Sequence, residues 1–119
     1  MPKQPELPAS YSADWLEKLD GRTTLARAVH QRYNDLASDL GGADALSYQK
    51  RSLAKRAIYV ECIIERHEAA LSRGEDVDLG RLTQAINTLI GLLKALGLDR
   101  KAKDVPDLVT YLRGREGVQ

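Results

Sequence analysis

"VDLGRLTQAINTLIGLLKALGLDRKAK", residues 77–103, carries the most informative apolar repeat of this chain. Leu79, Leu82, Ile86, Leu89, Leu93 and Leu96 recur at spacings of 3, 4, 3, 4 and 3, the seam of a helix that packs lengthwise against another. At about 100° per residue, Ala85 and Leu92 widen the stripe on one flank and Ile90 on the other, giving an apolar arc of about 160°. Asp78 stands where its carboxylate can accept from the free N–H groups of a first helical turn. Gly97 followed by Leu98 has the form of a left-handed stop with its hydrophobic contact. The expected helix therefore runs from about 79 to 96. Its opposite face carries Gly80, Gln84, Asn87, Gly91 and Ala95, flanked by Arg81, Thr83, Thr88 and Lys94, two charges among nine positions in a chain with 29% charged residues. Two readings stay open for that face: a weakly charged solvent face, or a contact or polar channel lining in a homo-oligomer. The second makes Gly80, Gln84, Asn87 and Gly91 candidate subunit contacts.

The rest of the chain supplies partners for this helix. Ser47 is a cap for a helix over about 48–72 whose main stripe is Leu53, Ala57, Val60, Ile64, His67 and Leu71. Ala54, Ile58, Cys62 and Ala69 lie on the opposite side, so this helix sits between two partners. One face belongs to the 79–96 helix. The other belongs to an earlier helix or to a neighbouring subunit, which makes Ile58 and Cys62 further candidate contacts. The loop "SRGEDVD" (72–78) is short enough to force the two helices into an antiparallel hairpin. Upstream, Leu25, Val29, Tyr33, Leu36 and Leu40 mark a helix over about 22–40, stopped by Gly41-Gly42. Ser12 offers a cap for a short helix over about 13–19 carrying Trp15, Leu16 and Leu19. Residues 1–11 hold three of the four prolines and read as a flexible tail. Beyond the connector "LDRKAKDV" (98–105), Pro106 begins a small helix over about 106–113, followed by a tail at 114–119. No alternating apolar pattern calls for strands. The expected fold is all-α, a single helical domain over 12–113 built on the hairpin.

With 119 residues, no phenylalanine and one tryptophan, the core is expected to be aliphatic. Cys62 is the only cysteine, which excludes an intrachain disulfide and a multi-cysteine zinc site and fits a reducing compartment. No eighteen-residue apolar run and no leader-like segment stands out, so the expected setting is cytoplasmic, away from membranes. Chemistry is sparse. His67 occupies a heptad core position, with Glu65 and Glu68 projecting away from it, and reads as a partly buried, hydrogen-bonded histidine. His30 is isolated, and no nucleophile–base pair or phosphate-loop lysine is present. The chain reads as non-enzymatic, with no cofactor and no metal.

Net charge is +1, so any case for nucleic acid rests on local patches. The hairpin sorts its charges. Lys50, Arg51, Lys55 and Arg56 begin the first arm, while Lys94, Arg100, Lys101 and Lys103 end or follow the second, which an antiparallel hairpin brings to one pole. The turn carries Glu61, Glu65, Glu68, Glu75, Asp76 and Asp78, some 25–30 Å away on a rod of that length. The basic pole, with Lys50, Arg51, Lys55, Arg56, Arg100, Lys101 and Lys103, is the candidate DNA-binding surface.

"LDGRTTLARAVHQRYNDLASDLGGADALSYQKRSLAKRAI" and "GEDVDLGRLTQAINTLIGLLKALGLDRKAKDVPDLVTYL", covering about residues 19–112, resemble small terminase subunits of phages and prophages. The resemblance lies in the leading "DGR", the "LGG-x-x-x-LS" link, the helical hairpin and the "LGL-x-R-x-A-x-D-V" exit. It implies a non-enzymatic, ring-forming protein in the host bacterium's cytoplasm that recognises double-stranded viral DNA and presents it to a large terminase subunit. There is no room for a complete helix-turn-helix before residue 22, so DNA contact is expected from 22–56, the basic connector or the tails. Two alternatives remain beside it. One is a helical adaptor or scaffold that binds protein alone. The other is a small regulator reading a DNA groove with the helix after Ser47, against which the link "GGADAL" (41–46) is long for a tight turn.

Overall fold

The computed structural model describes residues 6–97, and among them every regular element is helical. The order is α1 (Trp15–Lys18), α2 (Thr24–Asp39), one 3₁₀ turn (Ala43–Ala45), α3 (Tyr48–Ser72) and α4 (Leu79–Ala95). The all-α class read from the periodicity is the class observed. The helix expected over 106–113 and the 114–119 tail lie outside the described residues.

Side-chain caps and left-handed glycines set the boundaries. Thr23, Ser47 and Asp78 each accept a hydrogen bond from the N–H three residues on, that of Ala26, Lys50 and Arg81. α2 stops at a pair of bonds in which Gly42 N–H reaches the Ala37 carbonyl at 2.8 Å and Gly41 N–H reaches that of Ser38 at 3.1 Å. α3 ends the same way, with Glu75 N–H on the Ala70 carbonyl and Gly74 N–H on that of Leu71, both at 3.0 Å. These paired bonds need a left-handed residue just past the helix, and Gly41 (φ 108°) and Gly74 (φ 78°) supply it. Removing a capping oxygen orphans a backbone donor. Ser47→Ala and Asp78→Ala are therefore each expected to lower stability by about 1 kcal/mol, read from denaturant midpoints at unchanged slope.

α1 departs from its expected start. Ser12 does not cap it; the Ser12 carbonyl instead accepts from Trp15 N–H at 3.1 Å, and Asp14 takes the N-cap position without a side-chain capping bond. One turn of helix has little strength of its own. What fixes it is burial of Trp15, Leu16 and Leu19 in the core beside Ala26, Val29, Ala54, Ala57, Ile58 and Leu96.

α3 is the centre of the fold. It packs against α4 on one side and α2 on another, while α2 and α4 make little direct contact. Arg32 of α2 clamps the second junction, its guanidinium reaching Glu61 at 2.7 Å and both oxygens of Glu65 at 2.6 and 2.7 Å. A third face of α3 carries Tyr59, which is buried. Its ring meets the edges of Trp15 and Tyr11 at centroid distances of 5.4 and 5.6 Å, and its hydroxyl donates to the Pro8 carbonyl at 2.6 Å. Leu7 is buried in the same cluster. The segment from Leu7 to Tyr11, expected as part of a flexible tail, is thus tied to the core by an aromatic that lies off both apolar stripes of α3.

Two further expectations change. Ile58 is in the core, which leaves it no free surface for a second subunit, and Cys62 packs half-buried against the core, both toward α2. Burial also pushes the Cys62 thiol up to about 11, although the Arg32 guanidinium acts against the shift. The α4 seam is rotated as well. Leu82 and Leu96 are buried and Leu89, Leu92 and Leu93 pack against the core, but Leu79, Ile86 and Ile90 are 61%, 37% and 46% exposed. One partner helix covers an arc narrower than 160°, and α2 does not reach the remainder.

Candidate nucleic-acid interface

The first turns of α3 carry Lys50, Arg51, Lys55 and Arg56, and Lys94, the other described cation assigned to this pole, is exposed in the last turn of α4. Ser47 fixes where the helix begins, and the helical repeat then sorts the side chains. Tyr48, Arg51, Ser52, Lys55 and Arg56 fall within an arc of about 140°, and Lys50 lies about 100° beyond Arg51. The four predicted cations of this stretch therefore divide into a set of three and a flanking lysine. Lys50, Arg51 and Arg56 are exposed, and Lys55 is half-buried.

Local bonds orient three of them. Arg51 donates from Nη1 to the Leu46 carbonyl at 3.1 Å. Lys55 Nζ reaches Glu17 Oε1 of α1 at 3.0 Å. Partial burial works against ionised Glu17, but the hydrogen bond and charge of Lys55, with a backbone donor, hold its carboxyl below the ordinary value. The pair is thus an ion pair at neutral pH. The Arg56 guanidinium lies 4.7 Å over the Tyr11 ring and also donates to Ser52 Oγ, a cation–π arrangement that holds both groups. Tyr11, Ala13, Tyr48, Arg51, Ser52 and Lys55 enclose a cleft of about 230 Å³ between the N-terminal segment and α3. The predicted cations Arg100, Lys101 and Lys103 lie outside the described residues.

Tyr48 was not singled out by the sequence reading. It is 75% exposed at the mouth of this cleft. The signal was present in "SYQKRS" (47–52), an aromatic set among cations directly after a helix cap.

The opposite end of the hairpin is less acidic than its sequence. Arg32 neutralises Glu61 and Glu65, Arg73 pairs with Glu75, and Arg81 lies 3.5 Å from Asp78. Among the described residues, Glu68 and Asp76 are left without an ion pair. His67, half-buried, has its Nδ1 2.9 Å from the Ile63 carbonyl. The four α4 positions with a candidate contact role, Gly80, Gln84, Asn87 and Gly91, are all exposed. A Cβ built at Gly91 meets open space.

The chain matches no protein-family model, no curated protein and no solved structure. No helix among the described residues is long and apolar enough to cross a membrane.

Proposed function

We propose that this chain is a non-enzymatic, self-assembling DNA-binding subunit, of the kind that recognises phage DNA and presents it to a packaging motor. The observation that supports it is the cluster of cations at the start of α3, in which Lys50, Arg51 and Arg56 are exposed. Such a cluster suits phosphate contact, which positions a protein on DNA without reading sequence. The resemblance of residues 19–112 to small terminase subunits supplies the setting, with a large terminase subunit as the protein partner. Retention of the chain on immobilised duplex at about 50 mM salt, where phosphate contacts are strong, tests it. Passage straight through the column leaves the adaptor reading in its place.

Assembly is the second part of the proposal. A net charge of +1 gives one copy little hold on DNA, and a symmetric oligomer repeats the cluster so that avidity rises without new contacts. The α4 surface suits self-contact: the row of Leu79, Ile86 and Ile90 is uncovered, and beside it run Gly80, Gln84, Asn87 and Gly91. The same uncovered row favours the adaptor reading, in which that surface takes a different protein. Gly91→Glu separates assembly from folding, because the new side chain enters open space and replaces a helix-weakening residue. Light scattering is expected to show wild type as a multimer and Gly91→Glu at lower mass with an unchanged helical spectrum. A wild type that stays monomeric at high concentration ends the assembly proposal.

A further inference from the structure

We infer that the cleft between Tyr11 and α3 takes an unstacked nucleotide, with its base on the Tyr48 ring and its phosphate between Arg51 and Lys55. This deepens the nucleic-acid reading above and rests on it. It specifies the preferred form of the ligand: a single strand, or a frayed duplex end, ahead of a continuous duplex.

The cleft has two kinds of wall. The Tyr11 ring is already committed, edge-on to Tyr59 at 5.6 Å and under the Arg56 guanidinium at 4.7 Å. It is a fixed side wall. Tyr48 has no such partner among the described residues, and at 75% exposed it presents its ring faces to solvent. Bases within a duplex are stacked on one another and cannot reach such a face, whereas an unpaired base can, and every base has a π-face to offer. The cations sit at the same opening. Arg51 is held by the Leu46 carbonyl, so its charge is in place before a ligand arrives, while Lys55 is held on Glu17. The cleft, of about 230 Å³, is open to solvent.

Among the described residues, Glu17 is the carboxylate bonded to these cations, and it competes with a phosphate for Lys55 Nζ at 3.0 Å. Its removal releases the lysine. Glu17 therefore acts as an internal competitor, and its neutral variant should gain affinity, which a merely damaged fold cannot do.

The experiment is fluorescence anisotropy with the full chain at about 50 mM salt, using labelled oligo-dT of about 12 nucleotides and a blunt hairpin duplex with the same nucleotide count. Wild type is expected to bind the single strand more tightly. Tyr48→Ala should weaken single-strand binding roughly tenfold and duplex binding far less, while Tyr48→Phe stays within about twofold of wild type, because the ring does the stacking. Glu17→Gln should strengthen single-strand binding severalfold. A duplex bound as tightly as the single strand, or Tyr48→Ala without effect on oligo-dT, overturns the nucleotide cleft while leaving phosphate binding at the pole intact. If wild type binds neither probe, the DNA-binding proposal fails and takes the cleft with it.

Discussion

Trp15→Ala is expected to remove about 3–5 kcal/mol of stability, the range for deleting a large buried aromatic. Trp15 is 0% exposed and packs its ring against Tyr59. It also belongs to a helix of only four residues, which does not persist without tertiary contacts. Loss of the ring should release α1 and, with it, the segment that carries Leu7 and Tyr11. Against a typical domain stability of about 5–15 kcal/mol this is a large fraction. Trp15→Phe should cost far less. It keeps an aromatic against Tyr59 and removes a buried indole N–H that has no hydrogen-bond partner among the described residues, and such an orphan donor carries a penalty of about 1–3 kcal/mol. Urea unfolding followed by far-ultraviolet circular dichroism measures both, since the only tryptophan is the residue changed. A Trp15→Ala midpoint close to that of wild type would show that the fold does not depend on this cluster.

The second large effect is on DNA. Lys50→Glu with Arg51→Glu is expected to weaken duplex binding roughly a hundredfold at about 50 mM salt. Each phosphate contact releases condensed counterion with a slope of about −0.9, which amounts to roughly 1.2 decades of affinity per contact relative to 1 M salt. Both side chains are exposed and neither is part of the core, so helix content should be unchanged. The loss should be similar for unrelated duplex sequences, because phosphates carry no sequence information.

Much of the fold was legible because its punctuation is chemical. Ser47 and Asp78 each supply a capping oxygen, and Gly97 adopts the left-handed conformation (φ 84°) expected of a helix stop. The apolar repeats of α2, α3 and α4 then leave a hairpin with a helix across it as the arrangement that buries them. What periodicity does not say is which element covers a given face. Ile58 and Cys62 pack toward α2, and Leu79 and Ile86, in step with the seam, remain exposed because, among the described helices, α3 is the one that packs extensively against α4. Leu7 was hidden by the prolines around it, whose composition reads as tail. Its anchor Tyr59 was hidden by lying on a third face of α3. At the candidate site, Lys50, Arg51, Lys55 and Arg56 were readable as a charge run at a helix start. The Lys55–Glu17 pair and the Arg56–Tyr11 stack were not, because they join residues 38 and 45 positions apart through the placement of α1 and the segment before it.

If the α3 cations hold nucleic acid through phosphates, as proposed, affinity must depend on salt. Binding of a labelled duplex by the assembled wild type, titrated from about 50 to 200 mM salt, should give a straight line of log affinity against log salt with a slope of about −0.9 for each phosphate engaged. The Lys50→Glu, Arg51→Glu variant, assembled to the same mass, should show a shallower line, with about one unit of slope lost per contact removed in each engaged copy. A wild-type affinity that does not change with salt, or a variant whose line coincides with wild type, would show that these cations do not hold phosphate.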